Sequence, residues 1–482
     1  MPNTNWPPID WLWRAHAQNM AWYSGDPAQL ARSTTGFWRG KERIKTHVPI
    51  AHELAALAGS MLFAGSPVVT HPDERVNARL QCLLNENRFY ALLLQAAELQ
   101  AALGGVFLKI NWDTALAQRP ILTVIPASAG LPTYQNGILT GCTFWGTVRS
   151  DDKTRAVWRL CEVYTPDGRI LSTLYKGDAE NLGGEVSLDA IPETRSVLAE
   201  AASGAKCLLA TYVPGRLPNR FDPSTCYGMS DFHGLYTLFS ALDEVYSAML
   251  RDVRLGKCRV IVPMEFLRRK QDMLFAADQG PASHFAFDSD EEIFTALDIN
   301  PQDSGAGVTF LQPLLRTAEY KLALDDLVRR IFSMAGYSPQ SAGLDIEGCA
   351  ESGTALNVRE RRSAQTIEAK KAYWWHALLD ITRALLAVDA QVFHQGGTTD
   401  DITVAFADNT QPDTQTIADT LDKLERAGAA STRTKVRMLH PDWDDDGVAE
   451  EAALIREERG LTGDDPLDAG LGDMEDAPGG DT

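Results

Sequence analysis

Few positions in this chain combine residue type and spacing in a way that could do chemistry. Asp442-Trp443-Asp444-Asp445-Asp446-Gly447 opens like a calcium loop, with carboxylates at positions 1, 3 and 5 and glycine at 6. The bidentate glutamate that such a loop needs at position 12 falls on Ala453, so the run is not an EF-hand. It reads instead as an acidic turn capping a helix over residues 448–459. His47 and His52 lie five apart with no third ligand near them, and the other histidines are scattered, so all are read as structural. There is no P-loop, no GxGxxG after a strand, no GxSxG elbow and no HExxH. No catalytic residue, metal site or cofactor is expected.

Charge clusters offer binding rather than catalysis. Arg359, Arg361, Arg362, Lys370 and Lys371 stand against Glu360 and Glu368 in one helical stretch. They suit phosphate contacts or, the favoured reading, ion pairs with carboxylates of a neighbouring subunit. Arg268-Arg269-Lys270 is a short basic run, either a solvated helix face or a docking patch for an acidic partner. Residues 336–353 hold four glycines and Pro339, and no Lys or Arg occurs from Ile331 to Val358. That loop carries Asp345, Glu347 and Glu351 and so repels phosphate.

The 482 residues carry 45 basic and 65 acidic side chains, a net charge of −20. A simple nucleic-acid binder accumulates cations, so this balance argues against one. From Pro441 to Thr482 there are 15 acidic and 2 basic residues, and the last twenty or so read as a disordered acidic tail. At 44% hydrophobic and 23% charged, the chain has an ordinary globular composition. The most apolar stretch, residues 91–110, is interrupted by Gln95, Glu98, Gln100 and Lys109, so no membrane span is expected. Seven cysteines without a CxxC pair, and an N-terminus without a signal-peptide pattern, point to a reducing cytoplasm.

The elements that must position these residues follow from periodicity. Five of the eleven tryptophans fall in the first forty residues, and residues 11–23 read as a short helix. Residues 52–63 and 75–104 read as helices, the second closed by Gly104-Gly105. Strands are predicted at 106–112, 121–125, 141–149, 157–164 and 170–175, with Asn136-Gly137 and Asp167-Gly168 as turns. Helices return at 232–255 and 315–335, both apolar on several faces. Between them lies a small insert with strands at 258–262, 293–297 and 308–311 and a helix at 264–277. Residues 354–395 contain no Gly or Pro, which as one helix spans roughly 63 Å. A strand at 402–406, a helix at 413–427 and the segment 431–460 follow. The fold class is α+β, mainly α.

In this order the pieces resemble the portal proteins of long-tailed bacteriophages. The pieces are WYSGD at Trp22–Asp26, the 232–255 helix running into RVIVP at Arg259–Pro263, and the 310–339 segment ending in GYSP. The loop and ESGTALNVRERR at Glu351–Arg362 follow, then the long helix and the segment 422–458. The resemblance implies a wing at 1–231, stem helices at 232–256 and 314–335, a clip at 257–313 and a tunnel loop at 336–353. It further implies a wing or crown helix at 354–395, a crown at 396–460 and an acidic tail at 461–482. It implies a ring, usually of twelve subunits, at one capsid vertex, through which DNA is packaged and ejected. The tunnel loop would present Ser341, Leu344, Asp345, Glu347 and Glu351 to the channel. The clip, with Arg268, Arg269 and Lys270, would dock the terminase large subunit and then the head–tail connector. Major capsid and scaffolding proteins and double-stranded DNA complete the implied partners, in a virion assembled in the host cytoplasm. Two other readings stand beside it: another capsid-associated DNA-binding adaptor, and an enzyme whose site is unrecognised.

Overall fold

The computed structural model describes residues 9–26, 30, 45–256, 259–263, 295–297, 309–311, 315–343, 353–395, 397, 401–406, 414–440 and 443–458. The chain divides into two compact units. One is Met1–Cys349 with Val358–Ala407, and the other is Ala350–Asn357 with Asp408–Thr482.

The first unit opens with α1 (Asp10–Ser24), which ends where Gly25 turns left-handed, φ 63°. Its aromatic residues dock within the chain: Trp22 packs against Phe239 at 5.4 Å and Trp13 against Trp145 at 5.1 Å. Helix α2 (Ile50–Leu62) follows, then strand β1 (Val68–Thr70). The stretch expected to be one helix over 75–104 is two, α3 (Glu74–Glu86) and α4 (Phe89–Leu103). The break has a chemical cause. Arg88 takes a left-handed conformation, φ 51°, which frees Asn87 to act as a polar staple. The Asn87 amide donates to the carbonyls of Leu83 and Pro120, and its oxygen accepts from Arg119 and the Leu122 amide. The helix pair is thereby tied to the strand that begins at Ile121.

Two antiparallel sheets follow. Strand β2 (Gly105–Asn111) lies between β3 (Ile121–Pro126) and β10 (Ala210–Pro214). It is buried over most of its length, so its apolar run does not alternate. The larger sheet runs β4 (Gly130–Gln135), β5 (Ile138–Asp151), β6 (Ala156–Tyr164), β7 (Arg169–Gly177) and β8 (Gly184–Val186). Strand β9 (Glu200–Ala202) pairs with β7. Asn136 and Gly137, at φ 51° and 81°, form the tight β4–β5 turn that the dipeptide predicts.

Helices α5 (Tyr236–Leu255) and α6 (Thr317–Ala335) flank a three-stranded sheet in which β11 (Arg259–Pro263) lies between β12 (Thr295–Leu297) and β13 (Thr309–Leu311). Strand β11 is parallel to β12 and antiparallel to β13. The helix expected at 264–277 lies outside the described residues.

Helix α7 (Gly353–Val392) is continuous over 40 residues. Its second half runs through the core: Trp374, Leu378, Ile381, Leu385 and Val388 are all buried. Trp374 donates from Nε1 to Gln100 Oε1 at 2.9 Å, and Gln100 in turn donates to the Pro214 carbonyl. Asp389 receives a two-pronged pair from Arg79, at 2.9 and 2.7 Å. Strand β14 (Thr403–Ala405) then pairs antiparallel with β1. It belongs to the first unit, although its residues fall inside the segment read as crown.

The second unit contains α8 (Thr414–Arg426), α9 (Thr432–Leu439) and α10 (Asp445–Glu458). The acidic turn is the expected cap: Asp444 Oδ1 accepts from the Gly447 amide at 2.8 Å.

Candidate functional site

Helices α5 and α6 form a hairpin whose two ends differ. At one end Phe232, Leu235, Phe239 and Leu242 join Ile331, Phe332 and Ala335 in the core. At the other end Asp252 Oδ2 accepts from the Tyr320 hydroxyl at 2.7 Å and from Arg316 at 2.9 Å. The Tyr320 hydrogen bond, then Arg316, hold the Asp252 carboxyl below its usual range. Between these ends the apolar side chains are only partly covered: Leu324, Leu327 and Val328 pack against the core without being buried. No described residue in 244–254 or 315–330 is buried, and Leu322 is 72% exposed. Yet both helices carry apolar positions there: Val245, Met249 and Val253 on one, Leu322, Leu324, Leu327 and Val328 on the other. Two helices cannot bury an apolar surface that wraps more than one face of each.

The loop leaves the hairpin under tight control. Gly336 closes α6 at φ 100°, and a Cβ there would meet Thr366 Oγ1 at 2.8 Å. Helix α7 then fastens the chain turn by turn. Arg362 donates to Ser333 Oγ at 3.1 Å, the Ser338 amide donates to Ser363 Oγ at 2.7 Å, and Thr366 donates to the Gly336 carbonyl at 2.7 Å. Arg216 adds a bond to the Ala335 carbonyl at 3.0 Å. One turn further along α7, Lys370 Nζ meets Asp231 Oδ2 at 2.5 Å, and the Tyr337 hydroxyl donates to the same oxygen at 2.8 Å. Burial, reinforced by Asp231, pushes the Tyr337 hydroxyl well above its ordinary pKa, so it stays a donor. This junction joins the approach to α5, the exit from α6 and the middle of α7.

The residues expected to act are placed unevenly. Ser341 is half-buried, within 3.0 Å of Ser363 Oγ through its own hydroxyl, in the short turn Gln340–Ala342. Leu344, Asp345, Glu347 and Glu351 lie outside the described residues, as do Arg268, Arg269 and Lys270. Arg359 falls within α7. Arg361 and Arg362 are exposed, and Lys371 is half-buried and paired with Glu368 at 2.7 Å. Lys370 corrects the reading of a basic contact surface. Its side chain is sealed from solvent and neutralised by Asp231 within the same subunit, so it reaches neither DNA nor a neighbour. Asp231, Tyr337, Ser363 and Thr366 were not singled out from the sequence. Ser363, Thr366 and Lys370 lie three and four apart on the face of α7 that also buries Ile367, a spacing that gives no sign of their polar partners.

Among the described residues no group of three or more His, Cys, Asp or Glu could hold a metal ion, and no helix is long and apolar enough to cross a membrane. Among solved structures, the chain is similar to the neck of a native GTA particle computed with C12 symmetry: TM-score 0.41, 11% identity, 89% of this chain and 93% of that chain covered. It is likewise similar to the neck of an empty GTA particle computed with C6 symmetry: TM-score 0.41, 10% identity, 81% and 90% covered. No curated protein matches it. The family model described as phage portal protein, SPP1 Gp6-like, matches residues 18–462, which takes in the helical hairpin, its insert, the loop and α7. The match covers most of the chain, which therefore belongs to the SPP1 Gp6-like family of phage portal proteins.

Proposed function

We propose that this portal protein forms a closed ring at one capsid vertex, and that double-stranded DNA passes along its axis during packaging and ejection. The observation that carries the reading is the middle of the α5–α6 hairpin, where no described residue is buried and Val253 and Leu322 stand exposed. A head-to-tail ring gives each subunit two different patches that meet in every interface, which is what apolar surface on several helix faces requires. Twelve copies of 52.8 kDa make roughly 630 kDa. Light scattering of the purified protein at micromolar concentration and moderate salt tests it. A species of about that mass supports the ring, and a monodisperse monomer overturns it.

The role is structural, without catalysis. In it the insert between α5 and α6 docks the terminase large subunit and then the head–tail connector, with Arg268, Arg269 and Lys270 as the basic docking patch. Arg359, Arg361, Arg362 and Lys371 serve neighbouring subunits or DNA. Capsid and scaffolding proteins meet the wing. The loop carrying Leu344, Asp345, Glu347 and Glu351 lines the channel, where its carboxylates repel phosphate within a Debye length of about 8–10 Å. Replacing Asp345 and Glu347 with Lys leaves assembly alone and slows DNA passage, because ammonium groups hold the backbone through counterion release. Packaged DNA per particle, measured beside ring formation by electron microscopy, is the readout. Normal packaging with the basic loop removes the loop from the channel.

A further inference from the structure

Helix α5 begins without a cap. Leu235 at its N-cap makes no side-chain hydrogen bond, and no acidic residue falls in the first turn. The amides of Tyr236 and Thr237 meet no acceptor among the described residues. A helix start with free donors and partial positive charge favours an anion. The side chains around it are cationic. Arg220 Nη1 stands 4.0 Å from where a Cβ on Gly234 would lie, and His233 packs edge-on to Phe221 at 4.7 Å. Burial, then Arg220 and Arg216, lower the His233 pKa, so both guanidinium groups lie near the ring. Neither arginine forms an ion pair among the described residues. Arg216 donates to the Ala335 carbonyl, whereas Arg220 is exposed. The carboxylates closest in sequence are engaged, Asp231 by Lys370 and Tyr337, and Asp222 by the amide and hydroxyl of Ser224.

A second feature points to the same place. A small cleft between α1 and the start of α5 is lined by His16, Asn219, Phe221, His233 and Tyr236. His16 is only 5% exposed, and its Nδ1 has no partner among the described residues. A neutral imidazole can carry its proton on Nδ1 and donate it. The other polar groups are already engaged: the Tyr236 hydroxyl donates to Asn19 at 2.7 Å, and the Asn219 amide to the Tyr227 carbonyl at 3.0 Å. The cleft has about 20 Å³ of space, room for one water-sized atom. One oxygen of a tetrahedral oxyanion fits that space, with the rest of the group at the rim beside Arg220.

We propose that the start of α5 is a phosphate site, in which one phosphate oxygen accepts from His16 Nδ1 while Arg220 and the first amides of α5 hold the others. The site lies within one subunit and does not depend on the ring reading. Inorganic phosphate and the backbone of duplex DNA both present the group. The test titrates the full chain with inorganic phosphate by calorimetry at constant ionic strength, then repeats the titration with a short duplex present. The expected result is saturable phosphate binding that Arg220→Glu weakens at least about tenfold, the loss of a hydrogen bond to a charged group. Lys153→Glu, an exposed cation elsewhere on the chain, leaves the binding unchanged. A duplex that displaces phosphate supports the site with DNA as its source, and one that does not supports it with free phosphate as its source. Absence of phosphate binding by the wild-type chain overturns the proposal. So does binding that survives Arg220→Glu, or that Lys153→Glu weakens equally.

Discussion

Lys370 and Asp231, 139 positions apart in the chain, meet at 2.5 Å with both side chains closed off from water. A buried ion pair contributes little net stability over an apolar substitute, but removing one partner strands a charge. Lys370→Met should therefore cost about 3–5 kcal/mol. The double variant Lys370→Met with Asp231→Leu should recover much of that loss. Urea unfolding of both variants measures it. A Lys370→Met protein as stable as wild type contradicts the pairing.

Gly336→Ala probes the exit from α6. The residue sits at φ 100°, and the added Cβ would press on Thr366 Oγ1 at 2.8 Å. Left-handed strain plus that contact should cost about 1–2 kcal/mol. Thr366→Ala, which removes the obstructing oxygen, should recover part of it. Additive losses in a double-mutant cycle would show that the two positions do not touch.

Leu322→Lys separates assembly from folding. At 72% exposure, the side chain contributes almost nothing to the fold of one subunit. Thermal unfolding of the dissociated chain should be unchanged within about 0.5 kcal/mol. If the proposed ring packs the hairpin against the next subunit, ring formation should fail, because the lysine would be placed against apolar surface. Wild-type sizing of this variant would move the interface elsewhere.

His16 makes α1 acid-sensitive. Burial lowers its pKa from 6.5 to about 4, and its Nδ1 has no hydrogen-bond partner among the described residues. The folded state therefore binds the proton less readily than the unfolded state. Stability is full above pH 6.5 and falls as pH drops from 6.5 towards 4, by about 3 kcal/mol at most. His16→Leu should flatten this part of the pH–stability curve. An unchanged slope would assign the acid sensitivity to other groups.

Much of the fold was legible because periodicity and turn chemistry agree locally. The apolar row of the second half of α7 predicted which face is buried, and Asn136-Gly137 predicted its hairpin. The α3–α4 break was not legible. Asn87 ends the first helix by bonding to Pro120 and Leu122, partners 33 and 35 residues away, which no local pattern reveals. Lys370 failed for the same reason. Charge along a helix reads as solvated surface unless the opposing carboxylate is known, and Asp231 is remote in sequence. Ser363 and Thr366 were overlooked because small hydroxyl residues on a helix carry no periodic signal until the backbone they bond to is in view.

The β1–β14 ladder bears on the timing of synthesis. Thr70 and Thr403, 333 residues apart, share a hydrogen bond of 2.7 Å between their hydroxyls. Nascent domains tend to fold from the N-terminal side as they emerge. Here Val68–Thr70 waits for its partner until Thr403–Ala405 has left the ribosome, as the α2–α4 core waits for α7. A chain that stops early keeps an unpaired strand and an open core. The ladder is thus expected to act as a length check, holding subunits out of assembly until translation has passed Ala405. Ribosome-bound chains stalled before and after that point should differ sharply in protease resistance.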